Sequence, residues 1–355
     1  MNPDQDKSHS GADSELPLET EIAERLRAVK SQTERRTLAG LLRGIGGLPL
    51  EQARAALETS AAIAAVSLRA SIDFLRAAPA VAEVLEPAEL RAWGELGRRL
   101  TMADVESGIS FFTMGVSGFA AVPSVVRPFV FQVCARQMIL SATTAADTFR
   151  DARGLAEAVG DAEALRTIYS VAASIARRSA KHSAEFLAAT PQVIAALGKD
   201  GSLVPTAIDL VKAFAESAGG IAADAWASLP AAIAKLSGEQ AMLLMKRSLD
   251  FLERGGAAAL HVMLAGGEVL RTLPDCFDDW IELLWAIAPH GNAGLVAFIR
   301  SSPPFFQNII FIKTPRDSNA LARRVILLTR DVARVDAEAA LACLRVSAKA
   351  LHRAG

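Results

Sequence analysis

Residues 74–100 read FLRAAPAVAEVLEPAELRAWGELGRRL, and the fold turns on this stretch. Leu90, Trp93, Leu96 and Leu100 recur at three- and four-residue intervals, the spacing that gathers apolar side chains on one face of a helix. Pro79 and the pair Glu86-Pro87 interrupt the run. Proline removes a backbone donor and disfavours helical geometry in the residue before it, so each proline is expected to end a helix or to open the next at its first turn. The stretch thus predicts a helix, a break, a short helix to Leu85, another break and a longer amphipathic helix.

The same phrase returns along the chain. Phe186 is followed by LAATPQVIAAL, Trp226 by ASLPAAIAKL and Phe298 by IRSSPPFFQNII, so Pro191, Pro230 and Pro303 repeat the event at Pro79. The anchors Phe74, Phe111, Phe149, Phe186, Trp226, His261 and Phe298 lie 37, 38, 37, 40, 35 and 37 residues apart, inside the range for stacked helix pairs. Gly198-Lys199-Asp200-Gly201 and Ser237-Gly238 supply further breaks, and Gly115, Gly118 and Pro123 disturb the second unit. The expected fold is all-α: an α-solenoid of about seven helix-pair repeats, HEAT/TPR-like, right-handed, with helical caps.

Composition fits. Apolar residues make up 51% of the chain but aromatics only 6%, and abundant alanine suits helices whose backbones approach closely. The reading divides the chain into a disordered polar tail over 1–17, N-terminal capping helices over 18–58, the repeats over 59–312 and basic capping helices over 313–355. That last segment holds nine Lys/Arg against four Asp/Glu, on a chain whose net charge is −1. It reads as a solvated cap, or as a docking surface for an acidic partner or for nucleic acid.

Chemistry-bearing motifs are scarce. Cys134, Cys276 and Cys343 are odd in number and far apart, which indicates neither a disulfide framework nor a thiolate metal site, and suggests a reducing cytoplasm. Residues 107–126 carry no charge and are long enough to span a bilayer, but four serines, three glycines and Pro123 favour a buried repeat hairpin. The histidines at 9, 182, 261, 290 and 352 form no HExxH, and neither a phosphate-loop nor a GxSxG sequence occurs. The glycine pairs at 219–220, 255–256 and 266–267 fall between expected helical runs. The reading is non-enzymatic, with no cofactor and no metal. An active site would have to draw on His261, His290 and the carboxylates at 275–282, and His261, at an anchor position, is expected in the core instead.

Two charged clusters are the candidate partner-binding residues. Asp275, Asp278, Asp279 and Glu282 are spaced i, i+3, i+4 and i+7 after Pro274, one acidic helix face. It suits a helix N-terminus, a basic protein surface or a divalent cation. Arg98, Arg99, Arg136, Arg177 and Arg178 fall near the ends of equivalent second helices, so stacking in register would line them along one edge. Guanidinium forks bind carboxylate or phosphate at two points, while helix C-termini also favour cations.

The run FLRAAPAVAEVLEPAELRAWGELGRRLTMADVESGISFF, with its echo AEFLAATPQVIAAL, resembles the repeated phrase in the helical region of NorD/CbbO-type von Willebrand factor A proteins. The likeness covers residues 60–312. It implies a partner of MoxR-type AAA+ ATPases that helps activate or metallate a target enzyme. The chain departs from the family in having no DxSxS metal-adhesion motif and no α/β domain after the repeats. Together these readings predict a cytoplasmic protein-interaction scaffold or adaptor acting on a protein partner, an AAA+ ATPase or its target, without membrane insertion; the alternative is a nucleic-acid-binding helical repeat, which a nearly neutral chain lacking aromatics among its arginines suits less.

Overall fold

The computed structural model describes residues 31–114, 116, 119–198, 201–310 and 315–354, and the expected tail over 1–17 lies outside them. Among the described residues every regular element is helical. The chain divides into two compact units, Met1–Ser117 and Gly118–Gly355. The division falls where Gly115, Gly118 and Pro123 disturb the helical spacing.

The first unit contains α1 (Gln32–Gly46), α2 (Leu50–Ala64), α3 (Leu68–Ala82), α4 (Pro87–Ala103) and α5 (Val105–Met114). Each helix packs on the next and on the next but one, so α1, α3 and α5 form one layer and α2 and α4 the other. Local chemistry sets the boundaries. The Ser67 hydroxyl accepts from the Ala70 N–H to start α3, and Pro87 opens α4 where no intrahelical donor is needed. Phe74, Trp93 and Phe112 meet between the layers with ring centroids 5.2–5.5 Å apart, all fully buried. The close packing depends on small residues: a Cβ on Gly97 would lie 2.1 Å from the Phe112 ring.

The second unit contains α6 (Arg127–Leu140), α7 (Ala142–Val159), α8 (Ala162–Ala176), α9 (Ala180–Leu197), α10 (Val204–Ile233), α11 (Gly238–Gly255), α12 (Ala258–Thr272), α13 (Phe277–Ile287), α14 (Asn292–Ile310), α15 (Pro315–Ala333) and α16 (Ala337–Ala354). Short 3-10 turns at Phe119–Ala121, Pro274–Cys276 and Ala288–His290 link some of them. Here too helices pack on their next-but-one neighbours: α6 on α8, α7 on α9, α12 on α14 and α14 on α16.

The thirty-residue α10 belongs to both layers. Ile208 near its start lines a groove with Ile194 near the end of α9, while Gly220 sits against the His182 ring near the start of α9. The first half of α10 therefore runs antiparallel to α9. A straight helix, rising about 1.5 Å per residue, would carry Trp226 past the end of α9. Instead the Trp226 indole lies 5.4 Å from the Phe186 ring and donates its N–H to Thr190 Oγ1 at 3.0 Å. α10 therefore bends between Ile208 and Trp226, a span that holds the glycine pair 219–220, a kind of sequence that tolerates a sharp kink. This bend keeps the anchors in phase: Phe149, Phe186 and Trp226 fall in one layer, together with His261 and Phe298 on α12 and α14.

Several local expectations are corrected. Pro79, Pro191, Pro230 and Pro303 lie inside helices rather than at their ends. All four fall within about two turns of the C-terminus, where one lost hydrogen bond is tolerated when the helix is held by neighbours. Pro79 illustrates the clamp: its ring is the nearest neighbour of Gly44 on α1. The glycine pairs at 219–220 and 266–267 also lie inside helices, whereas the pair at 255–256 stands at the break between α11 and α12, as expected. A Cβ on Gly267 would lie 2.2 Å from the Ala232 carbonyl oxygen, so this glycine lets α12 pack on α10. His261, expected in the core, is half-buried at the layer's surface. No helix among the described residues is long and apolar enough to cross a membrane, and the described residues of the uncharged stretch 107–126 fall in α5, a 3-10 turn and turns rather than in one helix.

Candidate interaction surfaces

The acidic cluster is an internal seam. Asp275 sits in the 3-10 turn before α13, so the four residues do not share a single helix; Asp278 and Asp279 occupy the first turn of α13, where helix N-terminal charge favours them. Arg247 of α11 reaches Asp278 at 2.9 Å. From α15, Arg323 reaches Asp279 at 3.0 Å, Arg330 reaches Glu282 at 2.6 Å, and the Asn319 amide donates to Asp275 Oδ2 at 2.5 Å. The carboxylates expected to attract a cation or a basic partner thus hold α13 to its neighbours. Three of the basic partners come from the C-terminal segment or from α11, 31–48 residues away in sequence. Asp278 and Glu282 remain more than half exposed, so each pair contributes at most about 1 kcal/mol.

The arginines separate into two classes. On α4, Glu95 receives hydrogen bonds from Arg98 at 2.6 Å and from Arg99 at 3.0 Å. The Arg98 bond, with help from Arg99 and against partial burial, holds the Glu95 carboxyl below its ordinary pKa. Both arginines are therefore tied to an anion of their own helix. In the second unit Arg136 of α6 crosses to α8 and donates to the Ala173 carbonyl at 2.6 Å, satisfying an acceptor in the last turn. Burial, and then the like charge of Arg177, push the Arg136 pKa down. Arg177 and Arg178 are exposed and have no acidic partner among the described residues. The structure thus brings Arg136 and Arg177 together, and leaves Arg98 and Arg99 in a separate ion cluster. A related device at the other edge, which the sequence did not reveal, uses Arg271 of α12 to reach the Ala232 and Ala234 carbonyls at the end of α10, at 3.2 and 2.8 Å.

The histidines do not converge. His261 Nε2 lies 3.4 Å from the Arg300 guanidinium, and burial, then that charge, lower its pKa. His290 instead lines an open groove of about 580 Å³ with Glu282, Trp285, Arg330 and Arg334. Burial pushes the Cys134 thiol up to about 12 and the Cys276 thiol up to about 11, so both are held as neutral thiols. Among the described residues no three His, Cys, Asp or Glu side chains are grouped to hold a metal ion.

Two features lay beyond sequence reasoning. A groove of about 960 Å³ opens where α7, α8, α9 and α10 meet, lined by Val159, Ala164, Pro191, Ile194 and Ile208 with Asp209 among the polar residues. Deeper in the second unit, buried Gln137 donates to Ser183 Oγ at 3.1 Å, and Ser183 donates to the Ala172 carbonyl at 2.9 Å. Gln137 links α6 to α9 across the layers. Its separation of 46 residues from Ser183 explains why pattern reading misses it.

No protein-family model, curated protein or solved structure matches this chain.

Proposed function

We propose that this chain is a non-catalytic scaffold that holds a protein partner on the lateral surface of its stacked helix pairs. One contrast carries the reading: the carboxylates at 275–282 are taken up by pairing within the stack, while an edge formed by α6 and α8 keeps cations and aliphatic side chains open to solvent. Stacked helix pairs present such broad surfaces for recognition by shape and charge. The resemblance to the helical region of NorD/CbbO-type proteins places the scaffold, within this proposal, in a cytoplasmic MoxR-type AAA+ system that activates or metallates a target enzyme.

The test is recovery of the tagged chain from its native cells after mild cross-linking. A protein recovered in stoichiometric amount, and lost on charge reversal of surface residues, is the expected result. Recovery of nucleic acid in place of protein, released steeply by salt, would replace this reading with the nucleic-acid alternative.

A further inference from the structure

The C-terminal ends of α6 and α8 lie side by side, as the bond from Arg136 to the Ala173 carbonyl shows. Arg177 and Arg178 follow directly on α8, and Arg136 is near enough to Arg177 to feel its charge. Ile139 and Leu140 stand three and four residues beyond Arg136 on α6, the spacing of neighbours on a helix surface. They are 74% and 54% exposed.

Helix-end electrostatics accounts for a single cation at each C-terminus. It does not account for the second exposed arginine at the end of α8, nor for two aliphatic side chains left in water at the end of α6. From this combination, and resting on the scaffold reading, the geometry points to a docking site for an acidic, amphipathic polypeptide segment of a partner protein. Its carboxylates would pair with Arg177 and Arg178, and its apolar side chains would cover Ile139 and Leu140. Arg136, fixed on the α8 carbonyl, raises the local positive potential and positions the edge. A nucleic-acid backbone would meet the charge but leave the aliphatic pair exposed, whereas a protein segment with both features satisfies both.

The experiment is fluorescence anisotropy with the full chain and three labelled probes: a helical peptide with glutamates flanking two leucines four residues apart, the same peptide with both leucines changed to serine, and a single-stranded oligouridine. The expected result is saturable binding of the first peptide, weakened about tenfold or more by the double change Arg177→Glu and Arg178→Glu, and several-fold by Ile139→Ser with Leu140→Ser. Loss of the peptide's leucines should have a similar several-fold effect. Arg98→Glu with Arg99→Glu should leave binding unchanged. Arg177→Gln with Arg178→Gln repeats the test with less perturbation, and circular dichroism checks that each variant stays folded. The proposal is overturned if the peptide does not bind, if it binds the charge-reversed protein equally well, if oligouridine binds more tightly, or if the patch instead mediates self-association that the substitutions abolish. A cellular partner recovered undiminished by the Arg177 and Arg178 reversals would sink this site while leaving the scaffold reading intact; failure to recover any protein partner would sink the scaffold reading.

Discussion

The Trp226 indole N–H donates to Thr190 Oγ1 at 3.0 Å, joining the returning half of α10 to α9 with both residues fully buried. Thr190 also donates to the Phe186 carbonyl, so its hydroxyl is satisfied on both sides. Thr190→Val keeps the shape and strands the indole N–H. The expected cost is about 1–3 kcal/mol, read as a lower urea midpoint with unchanged slope, and Thr190→Ser should recover most of it. A neutral Thr190→Val would mean that the contact does not fasten the bend.

Gly97 faces Phe112 so closely that an added Cβ would lie 2.1 Å from the ring, whereas a Cβ on Gly154 of α7 would meet nothing within 4 Å. Gly97→Ala should therefore destabilise by about 1–3 kcal/mol through forced displacement of a packed ring. Gly154→Ala, in a solvent-facing helical position, should stabilise by about 0.5–1 kcal/mol. Opposite signs of the two shifts in thermal midpoint are the check.

Arg323 and Arg330 hold α15 on α13 through Asp279 and Glu282. Reversing both arginines to glutamate should speed hydrogen exchange in α15 and α16 before the rest of the second unit, with a loss of about 1–2 kcal/mol. Adding Asp279→Arg and Glu282→Arg should restore protection. If the quadruple variant exchanges as fast as the double one, the ion pairs do not define the seam.

His261 has a pKa lowered by burial and by Arg300. The unfolded chain then binds more protons than the folded one as pH falls through the ordinary histidine range, so stability is full above that range and declines below it. His261→Gln should flatten this part of the pH–stability curve, measured as thermal midpoints between about pH 7.5 and 5.5. Equal slopes for the two proteins would exclude His261 as the titrating group.

The all-helical character was legible because it rests on side-chain spacing, which runs such as Leu90, Trp93, Leu96 and Leu100 carry in the sequence itself. The prolines misled because a helix pressed between neighbours, as α3 is against α1 at Gly44, tolerates a missing bond that an isolated helix would not. The pair at 266–267 misled for the opposite reason: Gly267 is small so that α10 and α12 can touch, not so that the chain can turn. The candidate surfaces were half legible. The arginines and carboxylates could be named, but which of them are consumed internally depends on partners such as Arg330 and Glu282, 48 positions apart.

Because α10 carries the closing helix of one repeat and the opening helix of the next in a single segment, the second unit lacks a seam at the point where its repetition would suggest one. Truncated or spliced versions should be cut between α9 and α10 or between α10 and α11; a cut at residues 219–220 would divide one continuous helix and leave each fragment with half of it.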